Sequence, residues 1–196
     1  KPTFGEVSLD GVVPLSLTLD HAGPLARTVT DAWHVYRALI GRIDDRPLAA
    51  APLTGLRLAV PRDYFCDVLD DEVRERFESA LESLRAAGAR VDVVRVQHPA
   101  LTAPAYMHIS FGDAAAYHAR TLETMADRYT PAVRQRLELA RYVLAEDYVR
   151  ALAAREVLRR EVDGALSGHH ALALPTLPIP APVIGASSVD VMGRKE

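Results

Sequence analysis

Polar side chains surround a glycine-proline pair near the start of the sequence and form its strongest candidate for chemistry. Asp20 and His21 precede Gly23 and Pro24, and Arg27 follows them. A carboxylate on an otherwise apolar turn must bond to backbone amides or to a cation, because burying an unpaired charge is costly. Two interpretations stay open. Asp20 fixes the turn, with Arg27 as its partner or as a surface cation, or these residues line a pocket.

The segment that carries these residues is rich in apolar side chains. We call Gly11 to Asp31 the connector, because it leads from the first residues of the chain into a helix. Pro14, Gly23 and Pro24 restrict its backbone, so the sequence predicts an ordered segment. We expect its apolar side chains to anchor it by packing against the rest of the fold: Val12, Val13, Leu15, Leu17 and Leu19.

The sequence contains few of the other residue patterns that are common in catalytic sites. The chain has no G-x-S-x-G motif for a serine nucleophile, and its lysines are only Lys1 and Lys195, which leaves no credible buried catalytic lysine. Cys66 lacks a predictable activating partner and is interpreted as an inert thiol. The spacings of the histidines do not match a zinc site, so we predict that no metal is bound. We expect packing or solvation for the histidines that are candidate bases or ligands: His98, His108, His118, His169 and His170.

Composition narrows the class of protein. The 196 residues are 49% hydrophobic and 25% charged, with a net charge of -3, which fits a soluble globular unit and gives no reason to expect a nucleic-acid partner. No apolar run approaches membrane-spanning length, and there is no signal-peptide pattern, so we predict no membrane association. One cysteine agrees with a reducing compartment, and we expect a cytoplasmic protein. The absence of an initiating methionine suggests an internal piece of a longer protein.

The elements that must position these residues follow an α/β pattern. Thr28 and Asp31 have capping-box spacing before a helix over 29–40 that Gly41 can terminate. A strand over 56–60, a helix capped by Asp70 or Asp71, and a second strand over 91–96 form a βαβ unit with parallel strands, for which a right-handed crossover is expected. Further helices are predicted over 105–125 and, continuously, from 131 to about 165. A buried strand over 171–174 then leaves the sheet through PTLPIPAP.

The first forty residues resemble the segment that follows the signature region in the amidase signature family. The resemblance rests on a KPTFG turn, on GVVP, on LDHAGP and on the ARTVTD start of a helix. Similarity continues more weakly through GLRLAVPRDYF, AYMHISFGDAAAYHART and PTLPIPAP. The family resemblance implies an α/β/α fold with a mixed twisted sheet flanked by helices. It divides the incomplete amidase domain 1–196 into a sheet and helix part (1–99), a variable helical part (100–168) and a strand exit (169–196).

The resemblance also implies an activity, namely hydrolysis of a carboxamide C–N bond by a serine, a bridging serine in a cis peptide and a lysine, without metal or organic cofactor. In the family these groups lie upstream of the KPT turn, so no catalytic residue is assigned here and this piece alone should be inactive. The resemblance assigns substrate binding to Asp20, His21, Arg27 and Tyr106. Asp113 stands where many relatives carry Glu, so no role is assigned to it.

Two other functions remain open from the sequence. The chain could belong to a non-catalytic scaffold or subunit of an amidotransferase-like assembly on the same fold. An unrelated α/β module that binds small molecules rests only on the generic βαβ pattern. The expected partner is a small-molecule amide, and a homodimer stays open.

Overall fold

The computed structural model describes residues 1–42, 48–186, 188–192 and 194–195, with residues 194 and 195 described by their backbone only. The helices formed by these residues are α1 (Val29–Leu39), α2 (Asp71–Ala86), α3 (Thr102–Thr124), α4 (Pro131–Ala140) and α5 (Ala145–Leu166). The strands are β1 (Arg57–Pro61), β2 (Arg90–Val94), β3 (Ala171–Leu172), β4 (Asp190–Val191) and β5 (Arg194–Lys195). Single 3₁₀ turns cover Pro99–Leu101 and Ala126–Arg128. The α/β class expected from the sequence is therefore confirmed.

The chain forms two compact units. The first consists of Lys1–Ala50 and Ala103–Ala153, and the second of Ala51–Thr102 and Ala154–Glu196. The division predicted from the sequence, with boundaries after residues 99 and 168, separates parts by their expected role and not by compactness. It stays a prediction.

The second unit is built around a small parallel sheet with the order β2-β1-β3. β1 lies in the middle and pairs in parallel with both neighbours, from Arg57 opposite Arg90 to Pro61 opposite Val94 on one side. Its residues 58–60 are buried, with Ala59 and Val60 fully inaccessible to solvent. The βαβ unit predicted from the sequence is thus confirmed, with α2 connecting the two strands. β4 and β5 form a separate antiparallel pair.

The predicted helix ends agree well with the structure. Thr28 caps α1 by accepting a hydrogen bond from the Asp31 amide at 3.0 Å, and Asp70 caps α2 by accepting one from the Glu72 amide at 2.9 Å. Gly41 follows α1 with a φ of 69°, and Gly88 follows α2 with a φ of 95°. Both glycines therefore occupy the left-handed region in which a side chain would be strained.

The continuous helix predicted from 131 to about 165 is wrong. α4 ends at Ala140, and α5 begins at Ala145, where the Leu144 carbonyl accepts the amides of Asp147 and Tyr148. The intervening residues tighten into i to i−3 hydrogen bonds, from Tyr142 to Leu139 and from Val143 to Ala140. Aromatic and β-branched residues lose side-chain freedom in a helix, which favours a break at this point.

The core of the first unit lies between α3 and α4. Ala114 and Leu122 of α3 pack with Leu137 of α4, and Ala126 and Tyr129 cover the cluster. These contacts fix the face of α3 that meets α4.

Candidate functional site

Polar groups anchor the connector within the described residues, and four of the five expected apolar anchors are exposed there, while Leu19 is half-buried. Val13, Leu15 and Leu17 are 70%, 49% and 61% exposed, and Val12 is 47% exposed, whereas Ser16 is 1% exposed. The predicted order holds, but the contacts that provide it are hydrogen bonds. Each of these hydrogen bonds joins the connector to a fixed donor or acceptor, so the connector is ordered although most of its apolar side chains are exposed among the described residues.

Asp113 is the centre of this anchoring. Its carboxylate is buried and belongs to α3, in the first unit together with the connector. Oδ2 accepts hydrogen bonds from the Ser16 hydroxyl at 2.6 Å and from the Thr18 hydroxyl at 3.3 Å, and Oδ1 accepts one from the Tyr148 hydroxyl at 2.7 Å. We call these four residues the Asp113 cluster. The cluster joins the connector, α3 and the start of α5.

The neighbour of Asp113 in the chain explains how Tyr148 comes so close. A Cβ atom placed on Gly112 would lie 2.6 Å from Cδ2 of the Tyr148 ring. Only glycine leaves room for the ring at this position. Glycine is a poor helix former, yet inside α3 Gly112 admits the ring whose hydroxyl reaches Asp113.

His118 anchors the connector at a second point, one residue before Leu15. Its Nε2 lies 3.1 Å from the Pro14 carbonyl oxygen, and its Nδ1 lies 2.9 Å from the Tyr129 hydroxyl. A carbonyl oxygen only accepts, so Nε2 carries a hydrogen and donates it to Pro14, while Nδ1 shares a hydrogen bond with the Tyr129 hydroxyl. Connector residues 14 to 18 are thus held along α3 by His118 and Asp113.

Asp20 fixes the backbone of the connector, as the first of the two interpretations predicts. Its Oδ2 accepts a hydrogen bond from the Leu15 amide at 2.8 Å. The Ser16 carbonyl accepts the Asp20 amide at 3.0 Å and the Leu19 amide at 3.3 Å. Residues 15 to 20 therefore form a turn that is closed from both sides.

The other predicted site residues lie at the surface. His21 is exposed, donates from Nδ1 to the Leu19 carbonyl at 2.6 Å, and its ring meets the edge of Phe4 with centroids 5.5 Å apart. Arg27 is exposed immediately before the cap of α1, and Tyr106 is 55% exposed on α3. Within the described residues no hydrogen bond or ion pair joins Asp20, His21, Arg27 and Tyr106 to one another. Tyr106 lies two turns before Asp113, on the same side of α3.

A cavity of about 430 Å³ lies beside the first residues of the chain, within the first unit. Its walls include Glu6, Trp33 and Tyr36. A hydrogen bond to the Glu6 carboxylate raises the pKa of the Tyr36 hydroxyl, which therefore stays neutral to more alkaline pH. The Trp33 indole Nε1 is buried and has no partner among the described residues.

The second unit has its own cavity of about 550 Å³. We call it the strand-exit cavity, because it is lined by residues that follow β1 and β3 at the carboxyl edge of the parallel sheet, together with residues of and next to β4. The described residues that line it are all uncharged, namely Tyr64, Phe65, Val68, Leu69, Pro175, Thr176, Leu177, Pro178, Ile179, Val189 and Val191. Carboxyl edges of parallel sheets are common places for ligands.

Two hydrogen bonds shape the strand-exit cavity. Tyr64 has a φ of 72°, which is unusual for a residue with a side chain, and its amide donates to Oδ2 of Asp67 at 2.9 Å. The Asp70 amide donates to the Pro178 carbonyl at 2.8 Å and so holds the proline-rich segment against the segment after β1. The sequence predicts this segment as a strand exit, but it does not predict a cavity.

The histidines and the cysteine have structural surroundings. Burial raises the pKa of the Cys66 thiol, which keeps it in the less reactive protonated form. Within the described residues there is no group of three or more side chains suited to hold a metal. The histidines that the sequence singles out each have a partner: His98 with Glu161, His108 with the Pro104 carbonyl, His118 with Tyr129, His169 with Asp92 and His170 with the Arg57 amide.

Sequence reasoning missed Ser16, Thr18 and Tyr148. A weak signal for the first two exists, because hydroxyl side chains alternate with leucines in LSLTL. Such alternation indicates two different sides, although it does not say which side faces the protein. No local signal connects Tyr148 with the connector.

The fold and the site define a class of protein, namely an α/β protein whose glycine-proline connector is held along a long helix. Comparisons with known proteins identify the family within this class. A family model described as Amidase matches residues 1–194. An amidase of Pseudomonas putida is 35% identical over 193 residues, covering 92% of this chain and 41% of the relative. A glutamyl-tRNA(Gln) amidotransferase subunit of Acidobacterium capsulatum is 33% identical, covering 96% of this chain and 47% of the relative.

Solved structures agree with the sequence relatives. The crystal structure of an amidase is similar with a TM-score of 0.88 and 36% identity, and it covers all of this chain and 44% of that protein. A chain from a vestigial protein complex that reveals the origins of an s-triazine catabolic enzyme has a TM-score of 0.84 and 26% identity, with 100% and 45% covered. The chain belongs to the Amidase family, which confirms the resemblance stated above. It spans less than half the length of these relatives.

Proposed function

We propose that this chain is part of an enzyme that hydrolyses linear carboxamides through a serine nucleophile. The observation that carries the proposal is the match of residues 1–194 to the Amidase family, together with 35% identity to a relative named amidase. The polar anchoring of the connector supports it, because a site that binds an amide needs walls held in one geometry.

The reaction that the family resemblance implies has two halves. A serine oxygen attacks the amide carbonyl carbon, the C–N bond breaks, and the leaving nitrogen takes the proton that the serine gave up to a bridging serine and a lysine. Water then hydrolyses the acyl ester and restores the serine. The lysines of this sequence are Lys1, which matches the turn, and Lys195, so we propose that the catalytic groups come from a part of the enzyme outside these residues.

In this proposal the chain contributes binding surfaces. Asp20 holds the turn of residues 15 to 20, and His21, Arg27 and Tyr106 offer exposed polar or aromatic side chains for substrate. The second unit, taken by itself, offers the strand-exit cavity, whose neutral wall suits an uncharged apolar group, because a charged group would lose its hydration there without a partner. We expect neither a metal nor an organic cofactor to take part.

The test is release of ammonia or amine by the intact protein that contains this chain. Purified folded protein is incubated with a panel of neutral alkyl, aryl and charged carboxamides, and the nitrogen released is measured. Release that is fastest for neutral apolar amides supports the proposal. A folded protein that releases nothing from the whole panel contradicts it.

The alternative is a non-catalytic scaffold or subunit of an amidotransferase-like assembly on the same fold. It is favoured by the relatives named as subunits of glutamyl-tRNA(Gln) amidotransferase, such as the one that is 33% identical. The two functions are separated by the residues that precede the KPT turn in the gene. A lysine and a glycine- and serine-rich loop with two spaced serines favour an enzyme, and their replacement favours a scaffold.

Two further expectations concern the location of the protein in the cell and its oligomeric state. No helix of the described residues has the length and apolar character needed to cross a membrane. With its single cysteine buried and reduced, the chain suits the cytoplasm, which fractionation of cells tests directly. A homodimer stays a prediction, and sedimentation of the intact protein tests it.

A further inference from the structure

We propose that Asp113 is a positioning residue, which sets the shape of the connector through Ser16 and thereby the placement of the substrate wall that includes Asp20. The inference rests on the proposed function, because the placement of this wall affects activity only if the wall binds the amide substrate. Neither the family match nor the sequence assigns a role to this carboxylate.

The Asp113 cluster joins one carboxylate to three hydroxyls. An ionised carboxylate only accepts hydrogen bonds, and each of the three hydroxyls around Asp113 points a donor at it. Both oxygens are used, one by the connector and one by Tyr148. Hydrogen bonds to a charged group are stronger and more directional than those between neutral groups. The position of the carboxylate therefore determines where the Ser16 side chain lies.

Ser16 is linked to Asp20 through the backbone of the turn. The side chain of Ser16 is held by Asp113, while its carbonyl accepts the amides of Leu19 and Asp20. The Asp20 side chain returns to the Leu15 amide, one residue before Ser16. The turn of residues 15 to 20 is closed on itself and has its buried point at Ser16, which is 1% exposed. Moving Ser16 would move Asp20 and the exposed side chain of His21 after it.

Leucine packing does not replace the contact between Ser16 and Asp113 among the described residues. Leu15 and Leu17, on either side of Ser16, are 49% and 61% exposed. About half or more of the surface of each of these two leucines therefore makes no contact with the described residues. The hydrogen bonds from the Ser16 and Thr18 hydroxyls to the Asp113 carboxylate therefore provide the contact of this part of the connector with α3.

The experiment uses the intact protein with Asp113→Asn, with Ser16→Ala, and with Glu123→Gln as a matched control. Glu123 is an exposed carboxylate on the same helix, so its neutralisation tests the effect of charge on α3 alone. Amide hydrogen exchange is measured at Leu15, Leu19 and Asp20, and KM and kcat are measured for a neutral amide. Exchange reports on the turn without requiring activity.

We expect exchange at these three amides to accelerate about tenfold or more in Asp113→Asn and Ser16→Ala, as loss of a hydrogen bond to a charged group predicts, and to stay unchanged in Glu123→Gln. KM should rise by a similar factor while kcat falls less, because the wall binds substrate and does not react with it. Exchange in β1 should stay at its original rate, which separates a local effect from general loss of stability.

Three outcomes would overturn the inference. Unchanged exchange at residues 15 to 20 would show that Asp113 does not hold the turn. Faster exchange with unchanged KM would show that the turn is not part of the substrate wall, although the enzyme remains an amidase. An unaltered protein without amidase activity would refute the proposed function and the placement of substrate, while the exchange data would still decide whether Asp113 holds the connector.

Discussion

The Tyr148 hydroxyl donates a hydrogen bond to Oδ1 of Asp113 over 2.7 Å, linking residues 35 positions apart in the chain. This contact is what joins the start of α5 to the carboxylate that holds the connector. It also leaves Oδ2 of Asp113 to serve Ser16 and Thr18. We therefore expect the stability of the protein to depend on each of the donor atoms in this cluster.

Removing the Tyr148 hydroxyl tests that sensitivity. Tyr148→Phe keeps the ring and leaves the buried Asp113 carboxylate with one donor fewer. We expect the free energy of unfolding to fall by about 1–3 kcal/mol, the usual effect of losing a hydrogen bond to a charged group. The measurement is chemical denaturation of the intact protein. The control is Tyr142→Phe, because Tyr142 is 81% exposed between α4 and α5, and an equal loss in both variants would contradict the prediction.

A methyl group at position 112 should disturb the same contact from the other side. Gly112→Ala places a Cβ 2.6 Å from the present position of the Tyr148 ring, so the ring must move and its hydroxyl must leave Asp113. We expect a loss of about 1–3 kcal/mol, as for other overpacked sites.

The matched control for Gly112→Ala is a glycine-to-alanine change that should raise the stability of the protein. Gly164 lies inside α5, and a Cβ there would meet no atom within 4 Å. Gly164→Ala should stabilise the protein by about 1 kcal/mol, because alanine is the better helix former. Thermal unfolding of both variants gives the comparison. A gain of stability in Gly112→Ala as well would mean that the ring does not depend on glycine.

The sequence predicted elements whose signals are local. Thr28, Asp70, Gly41 and Gly88 mark helix ends through contacts within a few residues, and the structure places them accordingly. The alternation of valines after Gly88 could not fix strand ends, so β2 lies one residue earlier than predicted at its start and ends two residues earlier.

The candidate site depends on contacts that no local pattern encodes. Ser16 and Asp113 are 97 positions apart, and neither has a neighbour in the sequence that points to the other. The leucines around Ser16 indicated burial because apolar residues usually provide it, yet the buried side of the connector is the polar one. Asp20 could be interpreted correctly because its partner, the Leu15 amide, lies only five residues away.

The pair between Arg62 and Glu78 predicts a pH dependence in the second unit. Two hydrogen bonds of 2.5 and 2.9 Å join the guanidinium after β1 to the carboxylate of α2, and they hold the pKa of Glu78 below its ordinary value. A lowered folded pKa means that the stabilisation is present above the unfolded pKa of Glu and is lost as the pH falls through the folded pKa. Both side chains are about two-fifths exposed.

We therefore expect Glu78→Gln to lower the free energy of unfolding at pH 7 by about 0.5–1 kcal/mol, the range for solvent-screened ion pairs. The difference from the unaltered protein should shrink to zero in acid, once Glu78 is protonated in both folded and unfolded states. Denaturation curves from neutral pH into acid measure it. Glu75→Gln, on the exposed side of the same helix, should change stability little. A Glu78→Gln effect that persists in acid would refute the electrostatic cause.

The strand-exit cavity predicts a change of substrate preference. Leu177 lines the cavity and is 63% exposed, so Leu177→Glu should leave the fold intact while it introduces a charge into a neutral wall. We expect kcat/KM for an amide with a large apolar substituent to fall about tenfold or more, while that for a small amide such as acetamide changes little, because only the large substituent meets the new charge.

The control for this prediction is Ile184→Glu in the same proline-rich part of the chain. Ile184 is fully exposed and is not among the residues that line the cavity, so the same charge should leave both rates unchanged there. Equal losses for large and small amides in Leu177→Glu would indicate a general effect on the enzyme. Such a result would remove the cavity from the substrate site, because a cavity that binds the substituent must distinguish substrates by that substituent.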